Sequence, residues 1–302
     1  MSEELKKPKI LVVVGPTASG KTGVAIELAK KLGGEVVSAD SRQVYRGMDI
    51  GTAKVTPEEM QDIPHHLLDV ADPSEVYTAT DFARDAKVAV DDILARGKLP
   101  IVAGGTFFYI DALLGRVSMP EVPPDREMHA KFEEKSAAEL LAMLENLDPD
   151  RAASIDKENK RRLIRAIEIA MYLGKVPPPR PADCPYDVLT IGLTIDMETH
   201  GEIVKQRIIE RLHTGMVAEV EALLKNGITH ERLENFGLEY RYISRYLRGL
   251  LDYDTMVEEL AVKTRQYAKR QMTWLKRDKT IQWFSKNDQK ILDVTETFLG
   301  KN

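Results

Sequence analysis

The stretch Gly15-Pro16-Thr17-Ala18-Ser19-Gly20-Lys21-Thr22 decides the fold class of this chain. It matches the phosphate-binding pattern Gly-x4-Gly-Lys-Ser/Thr in full. A short β-branched run, 9–14, precedes it, and apolar residues at helical spacing follow it from Lys21 to Leu32. Strand, glycine loop and helix in this order predict a loop whose backbone N–H groups bind a polyphosphate at a helix N-terminus.

The last two residues of this loop predict a metal-assisted phosphate site. In such loops a lysine places a positive charge near the distal phosphate, and a Ser or Thr hydroxyl reaches Mg2+. Lys21 and Thr22 hold these positions, so Mg2+ is the expected cofactor, with Thr22 as its protein ligand. ATP is the commonest ligand of these loops, but the pattern does not name the polyphosphate. The chain has no Asn-Lys-x-Asp guanine signature, which argues against a GTPase.

Strand-like and helix-like segments alternate along most of the chain, which is typical of a parallel sheet with crossover helices. We predict an α/β fold: a P-loop NTPase-like, doubly wound, mostly parallel sheet with a helical insertion domain. Strands are predicted at 9–14, 35–39, 67–70, 99–103, 188–195 and 280–284, and helices at 21–32, 80–95, 199–225, 238–249 and 255–277.

The alternation stops in the middle of the chain. Residues 116–187 contain no convincing strand, are rich in proline at both ends, and carry helical patterns at 125–146 and 158–173. We therefore predict a first part of the core at 1–115, a helical insertion domain at 116–187, and a second part of the core at 188–302 with basic C-terminal helices.

Composition limits the environment of the protein. The chain has 302 residues, a net charge of -5 and one cysteine, Cys184, so an internal disulfide is impossible and bulk charge does not favour nucleic acid. A reducing cytoplasm is the expected location. No segment reaches the length of a membrane span. We expect a cytoplasmic monomer without membrane association.

Asp40 is the leading candidate for a catalytic side chain. It follows the predicted strand 35–39, and ligands of open α/β sheets lie beyond the carboxyl ends of the strands. Asp40 should therefore lie beside the phosphate loop. A helix cap or a ligand of magnesium-bound water would be ordinary alternatives for an aspartate there.

Seven blocks in order span nearly the whole chain: Gly15 to Thr22, Asp40 to Lys54, Pro64 to Asp69, Ala103 to Tyr109, Asn159 to Ala166, Gly237 to Arg241 and Tyr267 to Trp274. Together they resemble the tRNA dimethylallyltransferase (isopentenyl-tRNA transferase) family. No C-terminal zinc-finger pattern is present, so the resemblance is to the bacterial type. The family usually has a smaller residue at the position of Phe107 and often Met at the position of Arg42, and both departures bear on substrate fit.

The resemblance implies transfer of a dimethylallyl group from dimethylallyl diphosphate to N6 of the adenine 3′ of the anticodon in tRNA. Asp40 would be the general base, and Thr22 would act beside the diphosphate. A catalytic arginine is expected in the segment 205–212, with Arg207 as first choice and Arg211 as second, although both would also suit an ordinary surface ladder. The expected tRNA contacts are Asp40, Ser41, Arg42, Gln43, Thr106, Arg161, Arg162, Leu163, Ile164, Arg165, Lys269 and Arg270.

Local charge supports an RNA contact despite the acidic total. Residues 241–279 carry ten Lys/Arg against five Asp/Glu, and Lys263, Arg270 and Arg277 recur every seven residues on one helical face. The basic residues near 160–165 would suit a solvated helix face as well as a grip on an anticodon loop. The family resemblance favours the second, and so implies that the insertion domain 116–187 contacts the anticodon loop of the tRNA. The main alternative is a P-loop nucleotide or small-molecule kinase, and a second is an RNA-binding ATPase without transferase activity.

Overall fold

The computed structural model describes residues 7–117, 119–120, 122, 125–178, 183–196 and 198–301. They form two compact units. The core unit comprises the described residues up to Leu114 and from Cys184 onward, and the helical unit is Gly115–Asp183. No helix among the described residues is long and apolar enough to cross a membrane.

A six-stranded sheet forms the centre of the core unit, in the order β3-β2-β4-β1-β5-β6. All described pairings between these strands are parallel, which confirms the predicted fold class. The strands are β1 Lys9–Val14, β2 Gly34–Ser38, β3 His65–His66, β4 Leu99–Gly104, β5 Asp187–Leu193 and β6 Gln282–Phe284.

Helices cover both faces of this sheet, so the side chains of β1, which point alternately to the two faces, are buried on both. Ile10 and Val12 belong to the cluster of buried residues that α3 and α4 complete, whereas Leu11 and Val13 pack against α1 and α14. The helices of the core unit are α1 Lys21–Leu32, α2 Pro57–Met60, α3 Ala79–Ala95, α4 Phe107–Leu113, α9 His200–His213, α10 Met216–Lys225, α11 His230–Phe236, α12 Leu238–Leu247, α13 Tyr253–Leu275 and α14 Lys290–Leu299.

The described residues of the helical unit form four helices around an apolar cluster of their own. A capping box at Ser136 starts a second helix inside the range predicted as one, 125–146. Tyr186 packs in the core unit and β5 starts at Asp187, so these two residues lie outside the helical unit. The helices are α5 Arg126–Glu133, α6 Ala137–Leu147, α7 Pro149–Ser154 and α8 Lys160–Leu173.

Two other predicted elements differ from the structure for backbone reasons. The predicted strand 67–70 is wrong, because Leu67 and Asp69 have φ values of 64° and 57° and so leave the extended conformation. The predicted helix 199–225 is two helices, separated at Gly215, where φ is 110°.

The register of the sheet brings the candidate site together. Val14 lies beside Gly104 of β4 and Gly192 of β5, so the loop after β1 leaves the sheet at the same edge as the loop after β4. Ser38 of β2 lies beside Ala103, which brings Asp40 to that edge as well.

Candidate functional site

The phosphate loop is a compact turn at the start of α1. Gly20 caps the helix with a φ of 86°, in the left-handed region that favours glycine. The Lys21 ammonium donates a hydrogen bond to the carbonyl oxygen of Pro16 at 2.8 Å. At Gly15 a Cβ atom would lie 2.7 Å from Oγ of Ser19, so a larger residue would distort the loop.

Two distant helices hold the peptide groups of Thr17. Its N–H donates to Oε1 of Gln271 on α13 at 2.9 Å, and its carbonyl oxygen lies 3.0 Å from Nε2 of the buried His200 on α9. The Gln271 amide also donates to the carbonyl oxygen of Gly105 at 3.1 Å. Gln271 therefore links the loop after β1 to the loop after β4.

Asp40 is oriented by the backbone that follows it. Its Oδ1 atom accepts hydrogen bonds from the N–H groups of Arg42 at 2.8 Å and Gln43 at 3.3 Å. Its Oδ2 atom accepts none from the described part of the chain. One carboxylate oxygen thus fixes the turn, and the other is available to a ligand.

The loop after β2 is held against the loop after β4. Oγ1 of Thr106 accepts a hydrogen bond from the N–H of Ser41 at 3.0 Å. A Cβ atom on Gly104 would lie 2.1 Å from the carbonyl oxygen of Ala39, so glycine is required by this close approach. Gly104 therefore has a packing role.

Two cavities meet at this edge of the sheet. The loop cavity, about 440 Å³, is lined by the phosphate loop, β2 and α9. The helix cavity, about 320 Å³, is lined by α12 and α13 together with the loops after β2 and β4. The residues that line both are Thr17, Lys21, Asp40, Thr52 and Gly105. Asp40 and Lys21 consequently stand on the boundary between the two spaces.

The loop cavity has the electrostatics of an anion site. Burial lowers the pKa of Lys21 to about 8, against the raising effect of Asp40, and the positive charge of Arg207 lowers it further. Desolvation, followed by repulsion from Arg211, lowers the pKa of Arg207 as well. Two desolvated cations near each other repel, and an anion between them would relieve that repulsion.

We expect anion binding in the loop cavity to take up a proton in solutions more alkaline than the Lys21 pKa. There Lys21 is partly neutral, and a bound diphosphate favours its charged form, so its pKa rises on binding. Calorimetry with inorganic diphosphate in buffers of different ionisation enthalpy measures this uptake. Lys21→Arg, which keeps its charge at every such pH, is the control. Equal proton uptake by both proteins would contradict this assignment.

The helix cavity offers flat and hydrogen-bonding surfaces. The Tyr267 ring is 42% exposed, and the Arg270 guanidinium lies over it at 5.9 Å from the ring centre. Arg42 and Thr106 line the same cavity. A planar, polar molecule of nucleobase size fits such a lining, because aromatic and guanidinium planes stack on bases.

The loop 49–51, beside both cavities, is fixed by one carboxylate. Glu219 of α10 accepts hydrogen bonds from the N–H groups of Asp49 at 2.7 Å, Ile50 at 2.6 Å and Gly51 at 2.9 Å. The Tyr240 hydroxyl donates to the same carboxylate at 2.8 Å. Burial, and then the charge of Glu219, raises the pKa of Tyr240, which keeps this hydroxyl a donor.

We expect Glu219→Gln to lower the catalytic efficiency of the transfer implied by the family resemblance about tenfold, for the donor and for tRNA, and to reduce the free energy of unfolding by about 2 kcal/mol. The amide removes the charge that strengthens these bonds and places a donor against backbone N–H groups. Thr52, which follows the fixed loop, lines both cavities. Steady-state kinetics and urea unfolding measure the two effects. Glu221→Gln, on an exposed residue of the same helix, should change neither.

The two candidate arginines of α9 have different surroundings. Arg207 lines the loop cavity, and its guanidinium makes no ion pair or hydrogen bond with the described residues. Arg211 instead donates to the carbonyl oxygen of Gly51 at 2.8 Å and pairs with Glu239 at 3.1 Å. The geometry thus favours Arg207 as the arginine that binds an anion, while Arg211 links α9 to Gly51 and to α12 within the core unit.

Other predicted contacts are distributed more widely. Ser41 and Gln43 line the helix and loop cavities respectively, whereas Lys269 lines a separate groove on α13. Leu163 and Ile164 are completely buried in the apolar cluster of the helical unit, and a contact of these positions with RNA stays a prediction.

The basic residues of α8 also differ among themselves. Arg161 and Arg162 are exposed. Arg165 pairs with the buried Glu168 at 3.2 Å and donates to the carbonyl oxygen of Val122 at 2.7 Å, so it stabilises the helical unit.

Several residues of the site escaped the sequence analysis. Gln271, His200 and Glu219 each bond a residue more than 150 positions away in the sequence. Gln, His and Glu are also common on helix surfaces, so neither their spacing nor their residue type marks them. Gln271 stands next to the predicted Arg270 within the block Tyr267 to Trp274, which was the signal that could have found it.

A parallel sheet with a phosphate loop, an adjoining cavity that holds Lys21 and Arg207, and a carboxylate at its boundary is typical of P-loop-like α/β enzymes that bind a polyphosphate. A family model described as IPP transferase matches residues 43–278. The chain belongs to the IPP transferase family.

Individual relatives match this chain over nearly its full length. The chain is 42% identical to the tRNA dimethylallyltransferase of Thermomicrobium roseum over 92% of this chain and 87% of that protein, and 39% identical to that of Geobacillus thermodenitrificans, covering 97% of each. The tRNA isopentenylpyrophosphate transferase of Bacillus halodurans superposes with a TM-score of 0.73 and 35% identity, covering 98% of this chain and 97% of that one. The structure of a eukaryotic dimethylallyltransferase acting on tRNA superposes with a TM-score of 0.84 and 28% identity, covering 98% of this chain and 80% of that one.

These similarities support the transferase and not the kinase that the phosphate loop alone would allow. The predicted family is thereby confirmed.

Proposed function

We propose that this protein transfers a dimethylallyl group from dimethylallyl diphosphate to N6 of the adenine 3′ of the anticodon in tRNA, and releases diphosphate. The observation that carries the proposal is the position of Asp40 between two cavities of different chemistry. One holds the phosphate loop with Lys21 and Arg207 and suits a diphosphate. The other is lined by aromatic and polar planes and suits a purine.

On the donor side the protein stabilises the leaving diphosphate. Backbone N–H groups of the phosphate loop, the Lys21 ammonium and the Arg207 guanidinium are the positive groups available in the loop cavity. As the bond between C1 of the dimethylallyl group and the diphosphate oxygen breaks, the electron pair leaves with the oxygen. Fixed positive charge favours this step because negative charge grows on the diphosphate.

Mg2+ fits the loop cavity as a companion of the diphosphate. Thr22 is exposed there and offers one hydroxyl, while the described residues hold no cluster of three acidic, His or Cys side chains for an all-protein site. This suits Mg2+, which usually keeps several waters and takes phosphate oxygens as ligands. Bound there, it would neutralise diphosphate charge as a Lewis acid.

On the acceptor side Asp40 removes the proton. The exocyclic amine of adenine is a weak nucleophile, so loss of a proton must accompany formation of the bond from N6 to C1. Oδ2 of Asp40 is the free acceptor at the boundary of the cavities, and Oδ1 is held by Arg42 and Gln43. The adenine must leave the stack of the anticodon loop to reach it.

Unmodified tRNA incubated with radiolabelled dimethylallyl diphosphate, in the absence of ATP, tests the proposal. We expect about one label per tRNA, located on the adenine 3′ of the anticodon and lost when this base is changed to guanine. Unlabelled RNA together with ATP-dependent phosphorylation of a small acceptor would instead establish a kinase. A cytoplasmic location, where tRNA substrates are found, belongs to the same proposal.

A further inference from the structure

An acidic side chain lines the cavity that we assign to the diphosphate. Glu59 of α2 borders the loop cavity together with Lys21, Thr22 and Arg207, and its side chain is exposed. Burial lowers the pKa of Arg207 and the charge of Glu59 raises it, so Glu59 lies within electrostatic reach of that guanidinium. A carboxylate beside a bound diphosphate repels it unless a cation stands between the two.

Helix α1 turns one stripe of side chains towards α2. Thr22 and Ile26 line the loop cavity, and Lys30, one turn further along α1, donates to Oε1 of Gln61 at 3.4 Å. These three positions recur every four residues and so share one helical face. Gln61 directly follows α2 and lines the same cavity. Glu59 and Thr22 therefore lie on the two helices that face each other in this part of the cavity.

Helix α2 is attached to the core unit mainly through the residues on either side of it. None of its own residues is buried. Val55 before it is buried, and Ile63 after it packs on the apolar cluster that includes α1. Between these two anchors, the bond from Lys30 to Gln61 is the one hydrogen bond that joins residues 56–61 to other parts of the described chain. A segment with so few contacts can shift without disturbing the sheet.

We propose that Glu59 is a second protein group at the complex of Mg2+ with the diphosphate, and that α2 closes over the loop cavity when this complex binds. The inference rests on the proposed function, which assigns the diphosphate to this cavity. Thr22 offers one hydroxyl, and Mg2+ keeps several waters when one or two protein groups and phosphate oxygens hold it. The Glu59 carboxylate would accept hydrogen bonds from such waters. With the ion between them, Glu59 and the diphosphate no longer repel each other, and α2 is drawn towards α1.

Glu59→Gln tests this role without disturbing the start of α2. The Glu59 carboxylate accepts the N–H of Thr56 at 2.9 Å as part of a capping box, and a glutamine oxygen can accept the same bond. Inorganic diphosphate is the probe, titrated by calorimetry at a series of Mg2+ concentrations. We expect the variant to need about ten times more Mg2+ for half-maximal diphosphate affinity, the lower end of the range for loss of a group that orients metal ligands.

The same titration in EDTA should give an effect of opposite sign. Without a divalent cation, the Glu59 charge only repels the anion, so Glu59→Gln should bind diphosphate about threefold more tightly than the wild type, within the range for exposed charges. A merely structural role would weaken binding under both conditions. Glu58→Gln, on the adjacent exposed acid of α2 that does not line the loop cavity, is the matched control and should behave as the wild type.

Hydrogen exchange measures the closure of α2 directly. The N–H groups of Glu59, Met60 and Gln61 bond only to acceptors within residues 56–61, so they exchange when this segment opens. We expect their exchange to slow about tenfold when diphosphate and Mg2+ are added together, and to stay unchanged with diphosphate in EDTA. In Glu59→Gln this slowing should disappear.

The outcomes separate this inference from the function on which it rests. If wild-type protein labels tRNA and binds diphosphate with Mg2+, but exchange in residues 56–61 does not slow, α2 does not close and the proposed function stands. Equal Mg2+ dependence in Glu59→Gln and Glu58→Gln would likewise remove Glu59 from the metal complex. If the wild-type protein binds no diphosphate, the inference and the proposed function fail together.

Discussion

Asp40→Asn should lower the rate of dimethylallyl transfer about a thousandfold, the range for loss of a general base. The asparagine Oδ1 can still accept the N–H groups of Arg42 and Gln43, so the loop after β2 keeps its shape. What disappears is the charge and the free oxygen that accepts the N6 proton. Single-turnover transfer, in which product release does not mask chemistry, is the appropriate measurement. Affinity for tRNA should change less than about threefold.

The assay must be made near neutral pH, because Asp40 also influences Lys21. The negative charge of Asp40 raises the Lys21 pKa, so its removal leaves more of that lysine neutral in alkaline solution. Asp62→Asn, at an exposed aspartate with a φ of 62°, is the control, since asparagine tolerates this conformation. Transfer by Asp40→Asn at a rate close to that of the wild type would remove Asp40 as the base.

Arg207→Gln should lower kcat/KM for dimethylallyl diphosphate about a hundredfold, because it removes a preorganised positive charge from the loop cavity. The effect should appear in kcat as well as KM, since the diphosphate gains negative charge in the transition state. Arg207 has no acidic partner among the described residues, so its removal leaves no carboxylate unpaired.

Arg211→Gln provides the matched comparison on the same helix. This change breaks the contacts to Gly51 and Glu239 and leaves the buried part of Glu239 without its cation. We expect a lower free energy of unfolding, by about 1 to 3 kcal/mol, and a loss of kcat/KM below tenfold. Thermal unfolding and steady-state kinetics on both variants separate the roles. A larger kinetic loss in Arg211→Gln than in Arg207→Gln would reverse the assignment.

The parts of the fold that the sequence predicted are those encoded by adjacent residues. The phosphate loop needs eight consecutive positions, and β1 and α1 on its two sides begin and end where their patterns do. The residues that directly follow β2 are also encoded locally, so Asp40, two positions after Ser38, could be placed at the edge of the sheet. Parallel pairing then follows from the alternation of strands and helices.

The parts that could not be predicted depend on tertiary contacts or single backbone angles. The short helices α2 and α4 were missed because four to seven residues show no reliable periodicity. Leu67 looks like a strand residue, and only its positive φ removes it from the sheet. Leu163 was predicted as an RNA contact together with its basic neighbours, and its burial in the core of the helical unit depends on tertiary contacts.

The position of β1 inside the sheet has a consequence for biosynthesis. Its two neighbours are β4, which is made early, and β5, which begins only at Asp187 after the whole helical unit. While the ribosome translates the intervening residues, one edge of a β-branched apolar strand has no partner. Such edges recruit other chains, so a nascent polypeptide stalled before Asp187 is a natural client for chaperones and proteases.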